Sequence, residues 1–445
     1  MKIYRIPSIA VSAVNGSNFQ IEQQCPQCGA PIILDEADRV LSCKFCRTRV
    51  YLATRDFFRF YIPPAPDISE PLYFVPYWRI KGLSYAIREK EIIKGHRGAS
   101  PPHSMAAPVK EIEISNTYFD MNSLSLDYTI LPFSLGLRPQ TMTLKFVSGH
   151  DNPGKFLKFS SAARDSAINR YLSRTGGAYK QVFIGETISM IYSPVYCANH
   201  RIYDAVLKKP LDLQKKETEI EQMLLSTPDE KWHVDFLSLL CPDCGADLPG
   251  EKDALILFCN NCQSAWNPSC KDFVKVKYFA WEEKGDHITY LPFWQLKVKI
   301  SSVQLETYAD LIQIANLPKA PAEIWTRTPF YFYAPAFKVN PALFLRWSRQ
   351  LTATPSPQNL IPDFPAKIIH PVTLPVTEAL ESTVVTLSSL WKNKRDIQEL
   401  TTSATFSLED YSLVLHPFKS NARELIHTKL DVSMDMGALA LGTAL

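Results

Sequence analysis

Cys25-Pro26-Gln27-Cys28-Gly29-Ala30 opens a segment that Cys43-Lys44-Phe45-Cys46 closes, and Cys241-Pro242-Asp243-Cys244-Gly245-Ala246 opens another that Cys259-Asn260-Asn261-Cys262 closes. In each, fourteen residues separate two C-x2-C pairs. Cys241 follows Cys25 by 216 residues, and Cys262 follows Cys46 by the same 216. Two residues between cysteines let one tight turn aim both sulfurs at a point, and four sulfurs suit the tetrahedral shell of Zn2+. Gly29 and Gly245 allow the positive φ that such a knuckle needs after its second thiol. The predicted ligands are therefore Cys25, Cys28, Cys43 and Cys46 for one zinc ion, and Cys241, Cys244, Cys259 and Cys262 for a second. Both sets are closed, with no position left for a substrate, which makes the expected zinc structural.

Disulfides are the alternative use of such cysteines. The opening Met1-Lys2-Ile3-Tyr4-Arg5-Ile6-Pro7 lacks the apolar core and cleavage site of a signal peptide, so reduced thiols and a cytoplasmic location are expected. Between the knuckles, residues 31–34 and 40–42 read as strands around a turn at 35–38, a predicted hairpin that brings the two pairs together. The second copy offers a turn at 249–253 and a strand at 254–258.

These motifs resemble the zinc ribbons of transcription factors and of many bacterial double-ribbon proteins. Taken whole, the chain is similar to a bacterial family with tandem ribbons and long β-rich extensions. That resemblance spans nearly all of the sequence and implies no established activity.

The internal repeat extends beyond the cysteines. Val75-Pro76-Tyr77-Trp78-Arg79-Ile80-Lys81 matches Leu291-Pro292-Phe293-Trp294-Gln295-Leu296-Lys297, again 216 residues on. Leu131-Pro132-Phe133 resembles Ala334-Pro335-Ala336-Phe337 at an offset near 202, and residues 189–195 resemble 412–418 at 223. The expected architecture is an α+β, β-rich tandem duplication, each half a four-cysteine zinc ribbon joined to a mostly antiparallel β domain with few helices. Residues 1–210 form the first repeat, with its ribbon at about 20–60 and its β domain at about 61–210. A linker helix covers 211–229, with Leu213, Ile220, Met223 and Leu224 on one face. Residues 230–445 form the second repeat, with its ribbon at about 234–277 and its β domain at about 278–445. Residues 1–19 suggest a strand and turn. Helices are expected at 160–172, at 377–391 and, with Pro341 at its first position, at 342–350. Loops are expected at 95–108 and 352–365. Prolines recur inside the strand-patterned runs, and a missing N–H predicts edge strands or bulges. The alternation Trp78/Ile80 and Trp294/Leu296 puts large side chains on one face, as core or as an open aromatic groove.

Composition narrows the functions. The 445 residues are long enough for several domains, with 46% hydrophobic content, 33 prolines and only 16 glycines. No apolar run approaches the ~20 residues that span a membrane. The formal charge of +3 counts every cysteine as neutral; four thiolates around Zn2+ carry −2, so two filled sites bring the chain to about −1. That removes the apparent basic bias.

No metalloprotease, phosphate-loop, dinucleotide or nucleophile-elbow motif is present, and no small-molecule substrate is indicated. His96 and His103 share one polar loop. Cys197 near His200 is the single conceivable nucleophile pair, without an orienting third group; Cys270 is the remaining cysteine. Lys44, Arg47, Arg49, Arg55 and Arg59 follow the first site and suit either nucleic acid or compensation of the thiolate charge. The second copy has Asn260, Asn261 and Gln263 where Lys44, Phe45 and Arg47 stand, unlike a duplicated reader of phosphates. The expected function is a non-enzymatic zinc-binding adaptor or scaffold with a protein partner, with Phe45 and Trp266 as candidate contacts; nucleic-acid binding through the first ribbon is the alternative.

Overall fold

The computed structural model describes residues 20–92, 109–124, 143–147, 153–159, 178–211, 217–269, 272–285, 287–315, 323–357, 359–363, 368–392, 397–421 and 423–439, with a few single positions between. The expectations for 1–19, 95–108, most of 160–172 and Cys270 lie outside these; Ser166 and Ile168 within the expected helix are helical. The fold is α+β and rich in strands, most of them antiparallel.

Two sheets dominate. In the first, Leu72–Ile92 pairs antiparallel with Ala178–Ala198 on one side and Val109–Leu124 on the other. In the second, Ile288–Ile300 pairs antiparallel with Phe406–Ser420 and with Phe332–Pro335. The registers correspond. Pro76 faces Tyr192 and Trp78 faces Met190; Pro292 faces Leu415 and Trp294 faces Leu413. The parallel neighbours correspond too, Phe58–Tyr61 beside Ala178–Ala198 and Tyr278–Trp281 beside Phe406–Ser420. One expected match does not hold. Ala334 pairs with Trp294 as Ser123 pairs with Trp78, so the counterpart of Ala334 is Ser123 and not the stretch at 131–133. In a chain with 33 prolines, a proline beside an aromatic is too common a pair to fix register.

Pro335 ends the edge strand Phe332–Pro335, as expected, but the strands holding Pro76, Pro194, Pro292 and Pro417 are central, and there the missing N–H is handled differently. Leu72–Ile92 takes Lys155–Phe156 as a neighbour at Tyr73 and Phe74, and Val109–Leu124 from Tyr77 onward; Pro76 falls in the gap. Pro292 likewise lies between the neighbours paired at Tyr290 and at Phe293. Pro194 separates partners at Tyr192 and Val195, and Pro417 separates partners at Leu415 and Phe418. Each proline sits where its strand exchanges one neighbour for the next, so on that side no ladder donor is required. The free carbonyls are used: Ala205 N–H donates to Pro194 O at 3.0 Å and Thr428 N–H to Pro417 O at 3.1 Å.

Trp78, Ile80, Trp294 and Leu296 are all buried, so the aromatic face packs as core. The Trp294 indole N–H donates to Leu374 O at 2.8 Å. Beyond this core the first sheet changes course. Gly82 faces Gly185, the ladder slips between Gly185 and Thr187, and a Cβ on Gly82 would stand 2.4 Å from Ile184 O. The second sheet slips between Lys297 and Val298, at the corresponding place. Past the slip, Leu83, Tyr85, Val182 and Ile184 share a buried cluster with Phe344 and Leu387 of the second half. Helices Pro341–Thr352 and Val376–Leu390 cover this arm. The Tyr85 hydroxyl donates to Pro341 O at 2.7 Å, and Glu378 Oε2 accepts from Gly185 N–H at 2.6 Å. The core of the second half therefore includes strands from the first.

Local sequence accounts for the helix starts. Asn340 Oδ1 accepts from Leu343 N–H at 2.9 Å, with Pro341 at the first helical position. Helix Glu217–Ser226 buries Ile220 and Leu224 against Tyr73, Val75 and Tyr77, so it is packed on the first sheet rather than free between halves. Among the described residues no helix is long and apolar enough to cross a membrane.

Candidate metal centre

Each cysteine knuckle is itself the turn of a hairpin. Cys25 N–H donates to Ala30 O at 2.8 Å and Gly29 N–H to Cys25 O at 2.9 Å, and the flanking strands Gln20–Gln24 and Pro31–Asp35 pair with each other. Cys43 N–H donates to Thr48 O at 2.9 Å and Arg47 N–H to Cys43 O at 3.0 Å, between Val40–Ser42 and Arg49–Ala53. The predicted hairpin joining 31–34 to 40–42 is thus not formed. Each knuckle already reverses the chain, so these two strands belong to different hairpins. The second module repeats the bonds: Cys241 to Ala246 at 2.7 Å, Gly245 to Cys241 at 2.8 Å, Cys259 to Ser264 at 2.8 Å, Gln263 to Cys259 at 3.0 Å.

Gly29 and Gly245 adopt φ of 73° as expected. The closing knuckles use Arg47 at 62° and Gln263 at 56° in the same role, which no residue type announced. Nothing lies within 4 Å of a Cβ built on Gly29, so a side chain there meets only the backbone penalty. Gly29→Ala should cost about 1–2 kcal/mol in a urea titration while leaving metal content unchanged.

The eight sulfurs form two compact sets. Sγ–Sγ distances are 3.6 Å for Cys25–Cys46 and 3.7 Å for Cys28–Cys43. They are 3.5 Å for Cys241–Cys262 and 3.6 Å for Cys244–Cys259. Within each set all four lie within 4.8 Å of one another. A tetrahedral shell with metal–sulfur bonds of ~2.3 Å has edges of about 3.8 Å, whereas a disulfide bond is about 2.05 Å. The geometry fits a four-sulfur metal ion at both places, and all eight thiols are free.

The electrostatics point the same way. The Thr48 hydroxyl and N–H hold Cys46 down at about 6. The Ala30 N–H favours the Cys28 thiolate, but burial and the adjacent Cys46, Cys43 and Cys25 push it up to about 12. In the second set, burial raises Cys241, yet the Ser264 hydroxyl and the Cys244 and Asp243 amides bring it to about 6. Ser264 also favours the Cys262 thiolate, which burial and its three neighbours nevertheless drive up to about 11. Four crowded sulfurs cannot all ionise alone; a cation among them removes the conflict.

The modules are joined to each other. Asp235–Ser238, which leads into the second, pairs with Arg49–Ala53 of the first. Its counterpart Gln20–Gln24 pairs with Pro31–Asp35 of its own module and with Leu144–Phe146 of the first large sheet, and of the former pairing the second copy keeps the bridge Leu240–Asp247. Arg39 and Val40 N–H donate to Lys252 O at 2.5 and 2.9 Å. Val40, Tyr51, Leu239, Leu248 and Trp266 form one buried cluster with Cys241 and Cys259.

The basic residues after the first site divide. Arg59 is 4% exposed and paired with Asp56 at 2.6 Å and Glu230 at 2.7 Å, so it is neither a surface cation nor a partner of the thiolates. The Arg49 guanidinium donates to Gly250 O at 3.2 Å. Lys44, Arg47 and Arg55 are exposed. Glu36, in the expected turn, is 2% exposed between Arg79 at 3.8 Å and Lys81 at 3.7 Å, and accepts from the Ser189 hydroxyl at 2.9 Å. Phe45 is 74% exposed on its knuckle, whereas Trp266 is buried with its indole N–H on Ser264 Oγ at 2.7 Å.

Cys197 and His200 do not make an activated pair. Burial, with Glu221 nearby, pushes the Cys197 thiol up to about 11, the opposite of what a nucleophile needs. His200 is exposed, 3.8 Å from Glu221. His96 and His103 lie outside the described residues. Comparison with family models, with curated proteins and with solved structures finds no match for this chain.

Proposed function

We propose that the eight cysteines hold two structural Zn2+ ions and that the protein is a non-enzymatic adaptor that binds another protein through its first cysteine module. Reduced thiols at both sites suit the cytoplasm. The observation that carries the reading is Phe45, a side chain held open to solvent between two metal-ligating cysteines and, among the described residues, the one aromatic among the exposed large hydrophobics. Exposed aromatics on a rigid support are common anchors of protein interfaces. The corresponding position in the second module is Asn261, so the two modules offer different surfaces.

Phe45→Ala should reduce co-purification of the partner by roughly 30-fold in affinity, about 2 kcal/mol, with zinc content and melting temperature unchanged. Lys44→Glu with Arg47→Glu should alter that binding little at moderate salt. The reverse pattern, salt-sensitive retention of DNA or RNA lost on charge reversal and indifferent to Phe45, would replace the adaptor reading with nucleic-acid binding.

A further inference from the structure

A cavity of about 1030 Å3 lies where the first-half arm meets the second-half helices. Ile114 of Val109–Leu124 lines one side, and Leu345, Leu390, Ile397 and Val432 supply an apolar wall. Its size is at the upper end of the ~300–1,000 Å3 usual for small-molecule sites, which favour such junctions. Ser388 lines it, and this side chain, 3% exposed, has a hydroxyl without a hydrogen-bond partner. The indole N–H of Trp391, also in the wall, has none either. Buried polar groups are nearly always satisfied, so two in one cavity wall indicate a site built for a further partner.

The chemistry of the lining selects that partner. Trp391 and the two arginines, Arg346 and Arg349, are donor-only groups, and Ser388 can donate. Arg346 gives one N–H to Ser433 O at 2.5 Å. Arg349 is exposed, and among the described residues it has no ion pair. Asp431 is the one acidic lining residue and is exposed. Donors with an apolar wall call for an acceptor-only head on an apolar tail. We propose that this cavity binds one acyl-chain carboxylate, independently of any protein partner at Phe45.

The test is calorimetric titration of the metal-loaded full chain with decanoate and, separately, with decylammonium. Decanoate should bind one per chain, at least about tenfold more tightly than decylammonium, since a single charged contact is typically worth that factor. Arg349→Glu should weaken decanoate about tenfold or more, and Ser388→Leu, which replaces the buried hydroxyl by an apolar side chain, should weaken it as well. Arg349 is exposed, so that variant keeps the test decisive should Ser388→Leu fail to fold. No saturable decanoate binding, several equivalents per chain, equal binding of the two head groups, or affinity unchanged in Arg349→Glu would each overturn the proposal.

Discussion

Withdrawing the metal with a strong chelator is expected to unfold both cysteine modules together. Structural zinc in small four-ligand sites contributes on the order of 10 kcal/mol, about as much as the net stability of a whole domain. Neither module has a large core of its own. Val40, Tyr51, Leu248 and Trp266 bury one another across the boundary, and Asp235–Ser238 completes the sheet of the other module. Cys28→Ser should therefore lower zinc below two equivalents and also raise amide exchange at 235–238, beyond its own site. Exchange in the ladder between Ile288–Ile300 and Phe406–Ser420 should stay slow. Elemental analysis and hydrogen exchange on the same sample check this, and protected module amides after full chelation would refute it.

Glu36→Gln is expected to destabilise the protein by about 3–5 kcal/mol, the usual cost of removing one member of a buried ionic group. The carboxylate faces two buried cations, Arg79 and Lys81, and accepts from the Ser189 hydroxyl, and the neutral amide would lose its attraction to both cations. The second half supplies the control. Lys252 stands at the corresponding position, with its ammonium in solvent and 3.4 Å from Asp38, so Lys252→Gln should cost no more than about 1 kcal/mol. There the place of Arg79 is taken by Gln295, which donates to the Tyr333 hydroxyl at 2.6 Å and accepts from Ser412 at 2.9 Å, a neutral network. Urea titrations of the two variants separate the effects. Equal, small shifts would mean that solvent reaches Glu36 in solution.

What the sequence showed depended on how local the cause was. The ligand sets follow from spacing within a turn, and the glycine φ values from the demands of a knuckle. Asn340-Pro341 fixed a helix start through one cap. The offset of 216 likewise predicted that Pro76 and Pro292, and Trp78 and Trp294, occupy matching registers. Misreadings arose where distant partners decide. The rule that proline cannot donate was sound, but a central strand that changes neighbours meets it as well as an edge does. Arg59 read as a surface cation because Glu230 lies 171 positions away in the chain. Glu36 looked like one more turn residue, and nothing nearby in sequence marks it as the centre of a buried cluster. The pairing of Asp235–Ser238 with the first module was equally invisible, since its counterpart Gln20–Gln24 pairs at home.

The sharing of strands across the halves also sets a timetable for synthesis. When the ribosome has made Ala198, the arm beyond Gly82 exists, with Leu83, Tyr85, Val182 and Ile184 ready to pack. The helices that cover it end at Leu390, about 190 residues later. At ~5–20 residues per second that interval is on the order of ten to forty seconds. During it Leu83, Tyr85, Val182 and Ile184 lack the helices that cover them, so slower translation lengthens the time for which these apolar side chains are open to other nascent chains.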